Sequence, residues 1–226
     1  MSELFSIQLQ NRQQQGRDGV WLDLPTTTEQ VQAALRQIGI SSDNPQGLFI
    51  SGYFAEEEKR FAIPYNMVLA SNVDELNFLA SRLETLSTGE RAELNAALQA
   101  PQSELFSIGR ITDFPENVDY YVHLPDVHGP AQLGDYYLNR SGMVDMPEEW
   151  KGGIDTAQFG RYVAQQEQGA FTQYGYLVKS GDEWQKVHEG QPVPEEYRVL
   201  SFPAPEVLQD SANIPPPVQA ETKPQK

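Results

Sequence analysis

The spacing of apolar residues changes its period twice along the chain, and this change is what most constrains the fold. Apolar and polar residues alternate in residues 5–9, 20–24 and 48–54, as they do in half-buried strands. Between the second and third of these runs, Val31, Leu35 and Ile38 have helical spacing and Gly39 follows. The sequence therefore predicts a β-β-α-β module over residues 1–65.

Helical spacing dominates the next stretch, residues 66–98. One apolar run includes Val73, Leu76 and Leu79, and a second ends at Leu98. Between them, Ser87 followed by Glu90 has the spacing of a capping box, which marks the start of a helix. A helical middle module is predicted over residues 66–101.

The pattern typical of strands returns after Pro101. Residues 103–108 repeat residues 2–7 letter for letter, which predicts a second opening strand. A strand or loop is predicted at residues 120–124, and short helices are predicted at residues 134–139 and 147–150. A longer helix, N-capped by Asp155, is predicted over residues 155–163. A hairpin is predicted to follow, with strands at residues 170–178 and 184–188. These elements make up a C-terminal α+β module over residues 102–190.

The last part of the chain, residues 191–226, is rich in Pro, Glu and Gln. Such a composition does not supply a packed core, so this segment is predicted to be an extended or disordered tail. The predicted fold class is α+β, as an elongated chain of three small modules followed by a Pro-rich tail.

Acidic residues outnumber basic residues two to one, with 32 Asp and Glu against 16 Lys and Arg and a formal net charge of -16. This field repels nucleic acid and anionic lipid and attracts basic clefts. We therefore expect a protein partner and neither a nucleic-acid nor a membrane partner. Solubility alone is the alternative explanation of the charge.

Cysteine is absent from the sequence, which excludes disulfides, thiolate metal sites and a cysteine nucleophile. Residues 1–11 lack the basic and then apolar pattern of a signal peptide. No stretch approaches the ~20 apolar residues of a membrane span. These features predict a cytoplasmic protein.

Residues with catalytic potential are few. His123, His128 and His188 lack the spacing of metal ligands, and no phosphate-binding loop or Gly-x-Ser-x-Gly motif occurs. We therefore predict no enzymatic activity, no cofactor and no metal. A hydrolase that uses loop carboxylates with His123 or His128 is the least favoured alternative.

Carboxylates are spread over every predicted module. We interpret them as a candidate charged surface that comprises Asp18, Asp23, Glu29, Glu56, Glu57, Glu58, Asp74, Glu75, Glu84, Glu93, Asp113, Glu116, Asp119, Asp135, Asp145, Glu148, Glu149 and Asp155.

Several motifs follow one another along the chain. The first is the run Gly19-Val-Trp-Leu-Asp-Leu-Pro25. The later ones are Leu133-Gly-Asp-Tyr-Tyr-Leu138, Met146-Pro-Glu-Glu-Trp150 and residues 154–162. In this order they resemble the opening and the C-terminal module of the ArdA family of antirestriction proteins. The chain departs from the family pattern at residues 51–54 and at Tyr162, where relatives carry acidic residues.

The resemblance implies a function for the charge. Family members are carried by conjugative elements, and they are elongated, acidic homodimers whose carboxylates imitate the phosphates of bent DNA. They occupy the DNA-binding groove of type I restriction-modification enzymes and so protect incoming DNA. On this reading the charged surface is a DNA mimic, and the dimer interface includes Leu133, Tyr136, Tyr137, Met143, Met146 and Trp150.

Another function, and another role for the matched aromatics, remain open. The chain could be an acidic adaptor or an inhibitor of another DNA-binding protein or defence complex, with the tail as a docking peptide. The matched aromatics could also be structural. We expect core or dimer-interface positions, not contacts with restriction enzyme, for Trp21, Tyr136, Tyr137, Phe159 and Tyr176.

Overall fold

The N-terminal part of the chain forms a three-stranded antiparallel sheet with a helix on one face. The computed structural model describes residues 4–14, 18–41, 46–56 and 60–200. The sheet has the order β2-β1-β3 and is built from β1 (Phe5–Asn11), β2 (Val20–Leu24) and β3 (Leu48–Phe54). Helix α1 (Thr28–Gln37) lies between β2 and β3 in the chain. The predicted β-β-α-β order is confirmed.

Alternation along β1 explains which side of the sheet is buried. Ile7 and Leu9 are fully buried and share one core with Val31 and Leu35 of α1. Each such aliphatic side chain contributes about 1.5–3 kcal/mol by leaving water. Helix α1 starts after Thr27 because the Thr27 hydroxyl accepts the Gln30 N–H and the Gln30 side chain accepts the Thr27 N–H.

Three helices continue the chain: α2 (Tyr65–Leu69), α3 (Val73–Glu84) and α4 (Thr88–Gln99). The predicted capping box is confirmed, since Ser87 and Glu90 exchange hydrogen bonds at the start of α4. Residues 76–80 of helix α3 are all buried, and Leu76, Leu79 and Leu83 are fully buried. It therefore lies inside the larger core.

The second copy of the six-residue repeat does not form a strand, so that prediction is wrong. In this copy the Ser103 hydroxyl accepts the Leu105 N–H, and Ser107 N-caps α5 (Ile108–Thr112). The serines thus form a local turn and a helix start. In the first copy, residues 5 and 6 pair with β2 instead.

The C-terminal part contains a second antiparallel sheet in the order β4-β6-β5 and a group of helices. Its strands are β4 (Tyr121–Leu124), β5 (Ala170–Thr172) and β6 (Gly175–Lys179). Its helices are α6 (Pro130–Asp135), which continues into a π-helical turn at Tyr136–Arg140, then α7 (Glu148–Lys151) and α8 (Thr156–Glu167), which Asp155 N-caps as predicted.

Two predictions for residues beyond 169 are wrong. The hairpin is formed by β5 and β6, and residues 184–188 form no strand. Residues 191–200 do not form an extended tail. They dock on α3, where Val199 is buried, Tyr197 contacts Phe78 with ring centroids 4.6 Å apart, and Asp74 accepts the Val199 and Leu200 N–H groups at 2.7 and 2.8 Å. Residues 201–226 lie outside the described residues.

The buried residues form two clusters that do not follow the predicted module boundaries. The larger cluster runs from Leu4 through α3 and α4 to Tyr121, Leu177 and Val199. The smaller one contains Val127, Leu133, Ala164 and Tyr176. The division at residues 65, 101 and 190 stays a prediction. In the described residues, no helix combines the length and the apolar character needed to cross a membrane.

Candidate functional site

Exposed carboxylates are the candidate site, and the structure sorts the predicted ones by what each side chain contacts. Residues with exposed positions are Asp18, Asp23, Glu29, Glu56, Glu116, Asp119, Asp145, Glu148, Glu149 and Asp155. Half-buried positions are Asp74, Glu75, Glu84, Glu93 and Asp135. Glu57 and Glu58 lie outside the described residues.

Asp113 is wrongly assigned to the charged surface, because it is 0% exposed. Its carboxylate accepts the backbone N–H groups of Val187, His188 and Glu189 at 3.3, 2.6 and 3.2 Å. Asp113 therefore fixes the segment after Trp184 to the end of α5. It does so as a structural residue and presents no charge to solvent.

Glu93 is also a poor contributor of negative charge. Burial, together with the neighbouring carboxylates of Glu90 and Asp119, raises the pKa of Glu93 to about 8. Its Oε1 atom is buried and makes no hydrogen bond to the described residues. A pKa raised to this range reduces the negative charge that Glu93 carries at neutral pH. Its place on the charged surface stays a prediction.

Several of the predicted carboxylates are oriented by helix N-termini. Asp155 accepts the Gln158 N–H at 2.9 Å, and Glu75 forms a capping box with Asn72. Glu29 lies in the first turn of α1, where hydrogen bonds from its own backbone N–H and from Thr27 lower its pKa. Negative charge near a helix N-terminus is stabilised by the helix dipole. Local hydrogen bonds therefore hold these three carboxylates in defined positions.

Ion pairs neutralise part of the predicted surface locally. Glu116 pairs with Arg82, Asp135 pairs with Arg140 at 2.9 Å, and Glu148 pairs with Lys151 at 2.6 Å. Such pairs add little to stability when they are exposed. They lower the net charge that Glu116, Asp135 and Glu148 present to a partner.

Further exposed carboxylates were missed by the sequence analysis. They are Asp126, Asp182, Glu183, Glu195 and Glu196. Glu195 and Glu196 were assigned to a disordered tail, whereas they form a short 3-10 helix, Glu195–Tyr197, on the folded part of the chain. The adjacent aromatic residue, Tyr197, could have indicated that this segment docks.

The outer face of the N-terminal sheet also carries exposed aromatics. Trp21 is 51% exposed and Phe54 is 58% exposed. Trp21 is therefore not a core residue, and the interface position that was the other expectation for it stays a prediction. Asp23 lies on the same face, two residues after Trp21, and its carboxylate accepts the Ser6 hydroxyl at 2.6 Å. This face combines carboxylate with aromatic surface.

The six residues predicted for a dimer interface differ in accessibility. Leu133 is fully buried in the smaller cluster, so its assignment to an interface is wrong. Tyr136 and Tyr137 are half-buried against the same cluster. The Tyr137 hydroxyl donates to Glu167, and burial together with this bond raises the pKa of Tyr137. Met143 and Trp150 are 74% and 66% exposed, and Met146 is half-buried.

The remaining matched aromatics have structural positions. Tyr176 is fully buried and donates to Glu167 at 2.9 Å, and Phe159 is half-buried. Gly160 lies where α8 crosses α6, and a Cβ there would overlap the Pro130 carbonyl oxygen. Gly160 therefore allows α8 and α6 to pack closely.

The three histidines have different surroundings in the structure. A ring nitrogen of His123 is bonded to the Tyr174 carbonyl oxygen at 2.7 Å, and His188 packs edge-on against Phe78. His128 is exposed in a loop. Within residues 4–14, 18–41, 46–56 and 60–200, no group of three or more His, Asp or Glu side chains is arranged to hold a metal ion.

These observations describe a strongly acidic α+β protein that exposes carboxylates on elements from β2 to α8. Residues 15–178 match the family model described as antirestriction protein (ArdA). Because the match covers more than half of the chain, the protein belongs to the ArdA family of antirestriction proteins. A search of curated proteins found no match.

Proposed function

We propose that this protein protects incoming mobile DNA by imitating the charge of B-form DNA and occupying the DNA-binding groove of a type I restriction-modification enzyme. Family membership supports the antirestriction role. The exposed carboxylates, in a chain with a net charge of -16, are the observation that carries the mimicry. The protein acts by binding and not by catalysis.

Electrostatics explains how such a surface competes with DNA. A duplex presents one charge per ~1.7 Å of axis, and its protein partners place Lys and Arg to meet it. Carboxylates held by backbone contacts, as Glu29 and Asp155 are, meet the same Lys and Arg in fixed positions. Binding of this kind weakens steeply as salt concentration rises.

The proposed active form is a homodimer that joins through the C-terminal part of the chain. Met143 and Trp150 supply exposed apolar surface for this contact, and Met146 lies close to them in sequence. Large exposed apolar side chains of this kind are enriched at protein interfaces. We expect Trp150→Ala to shift the sedimentation of the protein towards that of the monomer.

A restriction assay tests the main proposal. Purified type I enzyme and unmodified plasmid are incubated with increasing amounts of this protein at about 50 and about 200 mM salt. We expect cleavage and modification to stop at near-stoichiometric protein at low salt and inhibition to weaken at high salt. Unchanged cleavage in excess protein at low salt would contradict the proposal for that enzyme.

Charge variants locate the effect. Replacing Asp18, Asp23 and Glu29 by Asn, Asn and Gln should weaken inhibition and make it less dependent on salt. The matched control is the double variant Asp135→Asn with Arg140→Gln, which removes an ion pair and leaves the net charge unchanged. Equal inhibition by both variants would argue against a charge-based mechanism.

The alternative, an acidic adaptor that recruits a partner through the Pro-rich segment, is separated by truncation. Because residues 191–200 dock on α3 through Tyr197 and Val199, the informative truncation ends the chain at Leu200. A DNA mimic should inhibit normally without residues 201–226, whereas an adaptor should lose function. Truncation after Gly190 should instead lower the melting temperature, because it removes the packed segment.

A further inference from the structure

The outer face of the N-terminal sheet carries an exposed aromatic pair. Trp21 on β2 and Phe54 on β3 lie mostly in solvent, with ring centroids 6.5 Å apart and ring planes at 74°. Both stand on the face opposite to α1, since Trp21 alternates along β2 with the buried residues Leu22 and Leu24.

The indole ring of Trp21 lies across the sheet and is positioned by it. Gln8 of β1 is opposite Trp21 in the register. The far edge of the ring reaches β3, where a Cβ on Gly52 would come within 3.0 Å of Trp21 Cη2. The missing side chain at Gly52 therefore makes room for the indole, which is placed before any partner arrives.

A carboxylate adjoins this aromatic surface on the same face. Asp23 is exposed, and the Ser6 hydroxyl holds it by a 2.6 Å hydrogen bond. An aromatic ring face beside a fixed carboxylate is the combination that binds a guanidinium, which stacks on the ring and donates to the carboxylate. An ammonium group stacks less well because it is compact and strongly hydrated.

We propose that Ser6, Trp21, Asp23 and Phe54, the aromatic-acidic patch, bind an arginine side chain on the surface of the partner protein. This inference rests on the proposed function and deepens it. Stacking on Trp21 is a short-range contact, so salt screens it less than it screens the attraction between exposed charges on the two proteins. The Asp23 carboxylate beside the rings, in a chain with a net charge of -16, favours a basic partner.

The first experiment needs no restriction enzyme. The probes are a blocked Gly-Arg-Gly-Arg-Gly peptide and its lysine counterpart, and the readout is the indole N–H resonance of Trp21, assigned with Trp21→Phe. We expect the arginine peptide to shift the Trp21 resonance more than the lysine peptide does, with the resonances of Trp150 and Trp184 unchanged. Equal shifts by the two peptides, or no shift at Trp21, would overturn the inference.

The second experiment measures affinity for a purified type I enzyme. Trp21→Ala should weaken binding by about five- to thirtyfold at both low and high salt, with the salt slope unchanged. Trp21→Leu should bind the enzyme as weakly as Trp21→Ala does, because leucine keeps apolar area but has no aromatic face. Trp21→Tyr should retain most of the affinity. Asp23→Asn should weaken binding more at low salt than at high salt, because it removes a charge that salt screens.

The control is Phe106→Ala. Phe106 is 63% exposed, but its ring already faces the guanidinium of Arg110 at 4.5 Å, so this variant should bind as the unaltered protein does. Affinity restored by Trp21→Leu, or a change of oligomeric state in Trp21→Ala, would refute arginine binding. Peptide binding without enzyme inhibition would refute the proposed function alone, and inhibition insensitive to Trp21 would refute the patch alone.

Discussion

Removing the Asp113 carboxylate should break the hydrogen bonds that hold residues 187–189 in place. Asp113 is fully buried, and its two oxygens accept three backbone N–H groups, with Oδ2 serving Val187 and Glu189 and Oδ1 serving His188. In Asp113→Ala these three donors lose their acceptor. The docked segment then either keeps unsatisfied N–H groups or moves into water.

The magnitude follows from the number and type of these bonds. A hydrogen bond to a charged group contributes about 1.5–3 kcal/mol, so three would sum to about 4.5–9 kcal/mol if nothing relaxed. Undocking of the segment limits the loss, because the freed N–H groups then bind water. We therefore expect Asp113→Ala to lower the free energy of unfolding by about 3–5 kcal/mol, which corresponds to a fall of about 6–20 °C in melting temperature.

Calorimetry and urea unfolding of three variants measure this effect. Asp113→Asn should lower the free energy of unfolding by about half as much as Asp113→Ala does. The carbonyl oxygen of the asparagine can still accept two N–H groups, whereas its NH2 group faces the third. Asp145→Ala, which also removes one carboxylate but at an exposed position, should stay within about 0.5 kcal/mol of the unaltered protein. If Asp113→Ala melts together with Asp145→Ala, the structural role assigned to Asp113 is refuted.

Two further predictions concern burial and close packing. Because the pKa of Glu93 is raised from 4.5 to about 8, the folded protein binds more protons than the unfolded chain between these pH values, and stability should fall as pH rises through that window. Glu93→Gln should flatten this dependence of melting temperature on pH, whereas Glu149→Gln, at an exposed position, should not. Gly160→Ala should force α8 away from Pro130 and destabilise the protein by about 1–3 kcal/mol in urea unfolding. Gly152→Ala should be close to neutral, because a Cβ there meets no atom within 4 Å and φ is -63°; equal losses would contradict the packing argument.

Sequence pattern predicted the elements that local chemistry determines. The β-β-α-β order follows from alternation and helical spacing, and the start of α4 follows from Ser87 and Glu90. The start of α8 at Asp155 is of the same kind. In each case the residues that decide the element lie within a few positions of one another, so a single sequence contains the required information.

The wrong predictions have two different causes. The strand expected over residues 103–108 has the same letters as the beginning of the chain, but Ser103 and Ser107 form a turn and a helix cap there. Residues 191–200 have the composition of a tail, yet Asp74 and Phe78 of α3 hold them. The contacts of Ser103 and Ser107 are local, but the same letters also fit a strand, so the pattern alone does not decide between the two. The contacts of Asp74 with residues 199 and 200 span 125 and 126 positions and leave no local pattern.

The candidate site shows the same division between local signal and tertiary contact. Acidic composition correctly indicated exposed residues such as Asp18 and Asp145, but it could not separate them from Asp113 or Glu93. Burial of a carboxylate depends on the partners that the fold supplies, which here are backbone N–H groups for Asp113. Trp21 shows the reverse case, an apolar residue that the fold leaves in solvent.

The negative charge at the protein surface is therefore smaller than composition suggests. Burial and ion pairing decide which acids contribute to it. Asp113 and Glu93 add little negative charge at the surface, and the cations of Arg140 and Lys151 offset Asp135 and Glu148. Exposed acids that remain, such as those on β2, adjoin aromatic surface. Because a charged surface alone would bind any basic groove, the residues beside the charge are where selectivity between partners can arise. Replacing Trp21 should therefore change the relative affinity for different restriction enzymes more than replacing one exposed acid such as Asp145 does.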